Sequence, residues 1–142
     1  MPDSAPSRFH ILVAEDNPGD LFLIQEALKT HQVPCRVHSV ETGEEFLAYA
    51  KEVCHEEETP KPDLIILDWS LPRGSGAQLV QAIRETERCA DAYILVLSSS
   101  LSPRDRDDAT KAGVNQFLSK PAELDEFLGI GAVVKHALIH RN

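Results

Sequence analysis

Short apolar runs recur along the chain and are separated by polar, turn-forming residues. Their shortness fits strands better than helices. The runs Leu64–Leu67 and Tyr93–Leu97 are continuously hydrophobic, which is typical of strands buried on both faces of a parallel sheet. The predicted strands are Phe9–Ala14, Cys35–Val40, Leu64–Leu67, Tyr93–Leu97 and Val114–Ser119.

The segments between these strands carry apolar residues at helical spacing. Leu21, Ile24 and Leu28 mark one face of a first helix that ends near His31. Thr42 followed by Glu45 resembles a capping box, which predicts the start of a second helix. Further helices are predicted around Leu79–Ile83, from Ser102-Pro103 to Ala112, and from about Glu123 to His140.

Five strands that alternate with five helices predict an α/β fold with a parallel sheet and helices on both faces. The 142 residues suffice for one domain with its own hydrophobic core. We therefore predict a doubly wound, single-domain architecture for residues 9–142. Residues 1–8 are predicted to be a disordered leader.

The sequence is acidic, with 23 Asp and Glu residues against 14 Lys and Arg residues and a net charge of −9. Such a surface repels phosphate backbones, so we expect no nucleic-acid partner. No apolar run approaches the ~20 residues of a membrane helix and no signal peptide is evident, so we expect a cytoplasmic protein without membrane contact. The three cysteines, Cys35, Cys54 and Cys89, are widely spaced, which favours reduced thiols.

Polar residues follow the predicted strands at their carboxyl ends. Ligands of open α/β sheets bind beyond these ends, where the strand order reverses. In the common order 2-1-3-4-5, this point lies between the first and third strands, so Asp16 and Asp68 would face each other. The polar residues at the strand ends are Glu15, Asp16, Asp68, Ser98 and Lys120.

These residue types together suit phosphoryl transfer. Carboxylates brought close together repel each other unless a cation is present, and Mg²⁺ suits a site of few carboxylates with water and phosphate. The Ser98 hydroxyl and the Lys120 ammonium are donors suited to phosphoryl oxygens. The set therefore indicates formation of an aspartyl phosphate.

Four motifs in this order resemble the response-regulator receiver domain of bacterial two-component signalling, of the chemotaxis-regulator type. The likeness extends from about Phe9 to Leu138 and implies a flavodoxin-like fold with strand order 2-1-3-4-5. The motifs are Glu15-Asp16 after ILVA, Asp68 in LIILDWSLPRGSG, Ser98 in ILVLSSS, and Lys120-Pro121 in FLSKP.

The resemblance assigns a metal site and a phosphoacceptor. Asp68 is implied to accept the phosphoryl group. Asp16, Asp68 and the backbone carbonyl of Ser70 are implied to bind Mg²⁺ directly. Glu15 is implied to hold a coordinated water molecule.

The resemblance also implies a conformational switch. Ser98 would bond the phosphoryl group and move inward on activation, and Lys120 would pair with the phosphate. A cis peptide bond is expected between Lys120 and Pro121. Phe117 occupies the position of an aromatic side chain whose ring turns inward when the serine moves, although burial alone explains many such rings.

The function implied is that of a single-domain response regulator in a phosphorelay. A sensor histidine kinase would phosphorylate Asp68, and the resulting change of conformation would control a downstream protein or phosphorelay partner. We expect no enzyme activity on a separate substrate. The loop 55–62 and the segment Glu15–Asp20 resemble single-domain regulators paired with bacterial phytochromes, which implies a phytochrome as the kinase.

The last predicted helix carries more apolar residues than one buried face needs. We interpret the excess as a surface for a homodimer or an effector. Gly129 and Gly131 are each expected to weaken this helix by up to ~1 kcal/mol relative to alanine. The apolar positions are Leu124, Phe127, Leu128, Ile130, Val133, Val134, Ala137 and Leu138.

Two other functions remain open on the residues alone. A degenerate receiver would bind partners without phosphorylation, but the intact Asp16, Asp68 and Lys120 argue against it. A small aspartyl-phosphate phosphatase would need a second acid two residues after its nucleophile, where this chain has Ser70. Asp20 is assigned to the amino terminus of the first helix, where anions are favoured.

Overall fold

The computed structural model describes residues 8–99 and 102–140 and shows a five-stranded parallel sheet in the order β2-β1-β3-β4-β5. This order and the predicted strand positions are confirmed. Of the predicted leader, only Arg8 belongs to the described residues. The strands are β1 Phe9–Ala14, β2 Cys35–Val40, β3 Leu64–Leu67, β4 Tyr93–Ser98 and β5 Gln116–Ser119.

Helices cover both faces of the sheet. The structure places α2, α3 and α4 on one face, around a core that includes Phe46 and Ile83. The face opposite is covered by α1 and by the last helical region, around Ile24 and Val134. The helices are α1 Pro18–Thr30, α2 Gly43–Val53, α3 Gly76–Arg84, α4 Pro103–Ala112, α5 Leu124–Leu128 and α6 Ile130–His140.

Helix α1 begins three residues earlier than Leu21 because Asn17 provides its N-cap. The Asn17 side chain accepts a hydrogen bond from the backbone N–H of Asp20 at 3.0 Å, and Pro18 follows at the first helical position. Both features stabilise a helix start. The cap therefore fixes where Asp20 lies above the sheet.

The region predicted as one last helix consists of two consecutive segments, α5 and α6, that meet at Gly129. Its apolar residues are mostly core: Phe127, Ile130 and Val134 are at most 3% exposed. Leu124 remains 56% exposed. The burial of most of this stripe in the core accounts for its apolar residues without a partner, and the homodimer or effector surface stays a prediction.

The prediction of three reduced thiols is wrong for two of them. Cys54 and Cys89 form a disulfide with a Cα–Cα distance of 5.6 Å, and Cys35 is free. The packing of α2 against α3 brings the pair together across 35 residues of sequence, so spacing along the chain did not indicate it. Arg88 reinforces this junction by donating to backbone carbonyls of Val53 and of the following loop.

No helix in the described ranges is long and apolar enough to cross a membrane.

Candidate functional site

The strand register brings the predicted site residues to one edge of the sheet. Ala14 pairs with Leu67, so Glu15 and Asp68 each follow a paired position. The Asp68 N–H also donates to the Ala14 carbonyl at 3.0 Å, which extends the pairing by one step. The predicted meeting of the β1 and β3 ends is therefore observed at the point where the strand order reverses.

Three carboxylates form an acidic cluster at this edge. Glu15, Asp16 and Asp68 each offer one oxygen, and these oxygens lie within 4.8 Å of one another. Glu15 and Asp68 are buried, at 2% and 6% exposure, whereas Asp16 is exposed. Three oxygen ligands with one open side fit a hard cation that keeps water molecules, as Mg²⁺ does.

Burial changes the protonation of Glu15. Desolvation raises its pKa from 4.5 to about 7, against the opposing effect of a hydrogen bond from Lys120. The negative charge of Asp68 raises the pKa further. One carboxyl group of the cluster thus takes up a proton near neutral pH when no cation compensates the charge.

Lys120 joins three carboxylates. Its Nζ lies 2.8 Å from Asp20 Oδ2, 2.9 Å from Glu15 Oε1 and 3.1 Å from Asp68 Oδ2. Burial alone lowers the pKa of Lys120, but the hydrogen bonds to Asp20 and Glu15 and the charge of Asp68 raise it above its ordinary value. The ammonium is therefore charged and held directly beside the Asp68 carboxylate.

The loop after β3 orients Asp68. The backbone N–H of Ser70 donates to Asp68 Oδ1 at 2.9 Å, while Oδ2 faces Lys120. Trp69 lies against Gly76 at the start of α3, where any larger side chain would overlap the indole ring. The predicted role of the Ser70 carbonyl as a metal ligand remains a prediction.

Ser98 ends β4 and is fully buried. Its carbonyl accepts a hydrogen bond from the Lys120 N–H at 2.7 Å, so the backbone ties the ends of β4 and β5 together. Phe117 pairs with Val96 in the register of β4 and β5 and is partly buried. Arg106 of α4 lies over its ring, with Cζ 5.0 Å from the ring centroid.

The expected cis bond between Lys120 and Pro121 is not found. Within the described ranges every peptide bond is trans, including this one. A trans bond is the preferred isomer before proline by about 0.5–1 kcal/mol, and it is compatible with the Lys120 backbone bond to Ser98. The prediction is therefore corrected to trans.

Two residues of the site were not recognised from the sequence. Asp20 was placed at the helix start, and it does lie in the first turn of α1, but its side chain also binds Lys120. The available signal was its place in the first turn of α1, directly after the Glu15-Asp16 pair that follows β1. Arg106 gave no signal, since an arginine on a charged helix is usually solvated.

A groove of about 790 Å³ lies away from this cluster. It runs between β2 and α2, where Arg36, His38 and Tyr49 contribute to its lining. None of the three clustered carboxylates lines it. In the acidic cluster Glu15 and Asp68 are buried and Asp16 is exposed, so another molecule can approach it from the side of Asp16.

The chain matches the family model of the response regulator receiver domain over residues 11–130. It is 28% identical over 116 residues to the response regulator Rcp1 of Synechocystis sp., which covers 82% of this chain and 79% of Rcp1. Two solved structures are similar as well. The phosphorylated cyanobacterial phytochrome response regulator RcpA gives a TM-score of 0.84 at 29% identity over 96% of this chain and 97% of its own. The Mn²⁺-bound form of Rcp1 gives a TM-score of 0.76 at 26% identity over 91% of each chain. The fold, the site at the strand ends and these matches together show that the chain belongs to the response-regulator receiver family, among relatives associated with phytochromes.

Proposed function

We propose that this receiver domain accepts a phosphoryl group on Asp68 from a sensor histidine kinase and changes conformation in response. The observation that carries the proposal is the environment of Asp68. Its carboxylate is oriented by the Ser70 N–H, lies 3.1 Å from the Lys120 ammonium and shares a cluster with Glu15 and Asp16. A turn aspartate makes a bond like the one to the Ser70 N–H, but it would need neither the Lys120 ammonium nor the two neighbouring carboxylates.

A divalent cation fits the acidic cluster, and we propose Mg²⁺. Asp16, Asp68 and the Ser70 carbonyl would bind it directly, and Glu15 would hold one of its water molecules. The cation supplies positive charge that offsets the repulsion between the carboxylates and the incoming phosphoryl oxygens. The similar structure of the relative Rcp1 is a Mn²⁺-bound form, which supports a divalent ion as the ligand of this domain.

The residues of this chain have defined parts in the transfer. An Asp68 oxygen forms a bond to phosphorus while the bond between phosphorus and the kinase histidine nitrogen breaks, and the imidazole takes up a proton. Lys120 redirects one N–H from Asp68 Oδ2 to a phosphoryl oxygen. The Ser98 hydroxyl donates to another oxygen, and this contact pulls the end of β4 toward the site.

The proposed partners follow from this chemistry. The donor is a histidine kinase, and the likeness to phytochrome regulators supports a phytochrome as that kinase. A downstream protein or a further phosphorelay protein would read the altered surface near Phe117, and a homodimer is one form that this contact can take. The domain transfers and releases its own phosphoryl group and acts on no separate substrate.

Intact-mass spectrometry after incubation with acetyl phosphate and Mg²⁺ tests the proposal. The phosphorus–oxygen bond to acetate breaks and a bond to Asp68 forms, so the wild type should gain one phosphoryl group. Asp68→Asn removes the nucleophilic oxygen and should gain none, as should wild type treated with a metal chelator. Phosphorylation of Asp68→Asn at the wild-type level would overturn the assignment.

A second measurement separates rapid dephosphorylation from absence of the reaction. Beryllofluoride mimics an aspartyl phosphate and cannot be hydrolysed in the same way. Trp69 is the single tryptophan of the chain and adjoins Asp68, so its fluorescence should report occupancy. A fluorescence response without stable phosphorylation indicates fast release, whereas no response in either experiment leaves a binding module as the function.

A further inference from the structure

The shortest of the three Lys120 contacts is made by Asp20, which lies apart from the acidic cluster. Asp20 Oδ2 is 2.8 Å from Lys120 Nζ across a separation of 100 residues in sequence. The cluster that could hold a metal ion contains Glu15, Asp16 and Asp68. Asp20 therefore binds the lysine without being part of the cluster that could hold a metal ion.

The backbone fixes Asp20 in this position. Its N–H is bonded by the N-cap Asn17, and the residue lies in the first turn of α1. The side chain of Asp20 is 28% exposed, while that of Lys120 is only 11% exposed. Asp20 thus closes the outer side of the lysine and leaves its inner side toward Asp68.

The N–H donors of the Lys120 ammonium are all engaged by carboxylates. An ammonium has three N–H donors, and here Glu15, Asp20 and Asp68 accept from them. With a phosphoryl group present, the donor on Asp68 would turn to a phosphoryl oxygen, while the donors on Glu15 and Asp20 could keep their partners. Glu15 would also face a bound metal ion, so Asp20 is the partner of Lys120 that neither group would engage.

We propose that Asp20 is a positioning residue for phosphoryl transfer, which holds the Lys120 ammonium in the place where it meets the phosphoryl oxygens. This inference rests on the proposed function of Asp68 as phosphoacceptor. Asp20 touches neither the reacting atoms nor the metal ion and acts through Lys120. Loss of its carboxylate leaves Glu15 as the single fixed acceptor, and the lysine then samples positions that do not meet the phosphoryl group.

The test compares Asp20→Ala and Asp20→Asn with wild type in acetyl phosphate reactions. We expect Asp20→Ala to lower the phosphorylation rate roughly tenfold, because small displacements of a positioned group have effects of this size. Asp20→Asn retains an oxygen acceptor and should recover part of the rate. Glu26→Ala is the matched control, since Glu26 is an exposed carboxylate on the same helix and pairs with Lys29 at 3.5 Å.

Mg²⁺ titrations followed by Trp69 fluorescence distinguish positioning from metal binding. Asp20→Ala should keep the Mg²⁺ midpoint within about twofold of wild type, because Asp20 lies outside the metal cluster. A midpoint raised tenfold or more would overturn the inference and make Asp20 a metal ligand. In the Lys120→Ala background, Asp20→Ala should cause no additional loss of rate, since the residue acts through that lysine.

Chemical labelling of Lys120 tests its contact with Asp20 independently of phosphorylation. The rate at which acetic anhydride acetylates the Lys120 amine, measured by peptide mass spectrometry, should rise severalfold in Asp20→Ala and remain unchanged in Glu26→Ala. An unchanged labelling rate in Asp20→Ala would overturn the positioning role. If wild type is phosphorylated and Asp20→Ala reacts equally fast, this inference fails and the proposed function stands. If wild type takes up neither a phosphoryl group nor beryllofluoride, the proposed function fails, and the role of Asp20 in phosphoryl transfer fails with it.

Discussion

Arg106 of α4 lies over the ring of Phe117 in β5, with its Cζ 5.0 Å from the ring centroid. The contact joins a helix and a strand next to the end of β4, where Ser98 lies, whose hydroxyl we propose to bond the phosphoryl group. A cation over an aromatic face contributes about 0.5–1 kcal/mol at an exposed site. Because Phe117 occupies the proposed switch position, this contact stabilises the conformation described here against any conformation in which the ring turns inward.

Arg106→Ala should therefore make activation easier. Loss of about 0.5–1 kcal/mol corresponds to a two- to fivefold lower beryllofluoride midpoint in Trp69 fluorescence. Arg104→Ala is the control, because Arg104 is exposed on the same helix and makes no ring contact among the described residues. A midpoint that stays at the wild-type value in Arg106→Ala would show that the ring does not leave the guanidinium during activation.

The buried carboxyl of Glu15 predicts a dependence of stability on pH in the absence of metal. Its pKa is about 7 in the folded protein and 4.5 as the ordinary value, so the folded state binds a proton that the unfolded chain has released between these pH values. The free energy of unfolding therefore falls as the pH rises through this window, by up to about 1.4 kcal/mol per pH unit. Below about pH 4.5 the stabilising contribution is fully present, and above about pH 7 it is lost.

Urea denaturation at pH 5 to 8 with a chelator measures this effect as the difference between wild type and Glu15→Gln. The glutamine cannot titrate. The free energy of unfolding of wild type, measured relative to that of Glu15→Gln, should therefore decrease as the pH rises toward 7. The raised pKa of Lys120 contributes only above its ordinary value of 10.5, outside this range. Parallel curves for the two proteins would contradict the prediction.

The disulfide between Cys54 and Cys89 predicts the number of reactive thiols. Denatured protein that has not met a reductant should expose one thiol, that of Cys35, and reduced protein should expose three. Closing a loop across 35 residues stabilises the fold by about 4 kcal/mol in the chain-entropy model. Reduction should lower the free energy of unfolding by an amount of this order, and a thiol assay that finds three groups before reduction would exclude the bond.

Local sequence patterns were sufficient to predict the strands and the residues that follow them at the site. The strands are short apolar runs bounded by turn residues, and parallel strands carry their carboxyl ends to one edge whatever the remaining packing. Asp16 and Asp68 could therefore be placed face to face once the common order 2-1-3-4-5, in which β1 lies beside β3, was taken for the sheet.

The features that were missed depend on contacts between distant parts of the chain. Asp20 and Lys120 are 100 residues apart, and their contact requires the start of α1 and the end of β5 to meet in the folded chain. The pairing of Cys54 with Cys89 requires the packing of α2 on α3. Helical periodicity also did not indicate that the core of the chain itself buries most apolar residues of α6.

At Gly131 the structure predicts an effect of alanine on stability opposite to that predicted by helix propensity. Propensity alone predicts that alanine at Gly129 and at Gly131 stabilises the last helical region by up to about 1 kcal/mol. A Cβ at Gly131, however, would overlap the backbone carbonyl oxygen of Ala27, because α6 approaches α1 closely at this point. We expect Gly131→Ala to lower the free energy of unfolding by about 1–3 kcal/mol, as overpacking against a rigid backbone does.

Gly129→Ala is the matched control, since its Cβ would lie 3.1 Å from the Glu126 carbonyl oxygen and needs only a small adjustment. In urea denaturation, the free energy of unfolding of Gly131→Ala should therefore be well below that of wild type, and that of Gly129→Ala should be close to it. Equal stability of the two variants would show that α1 and α6 do not approach at Gly131.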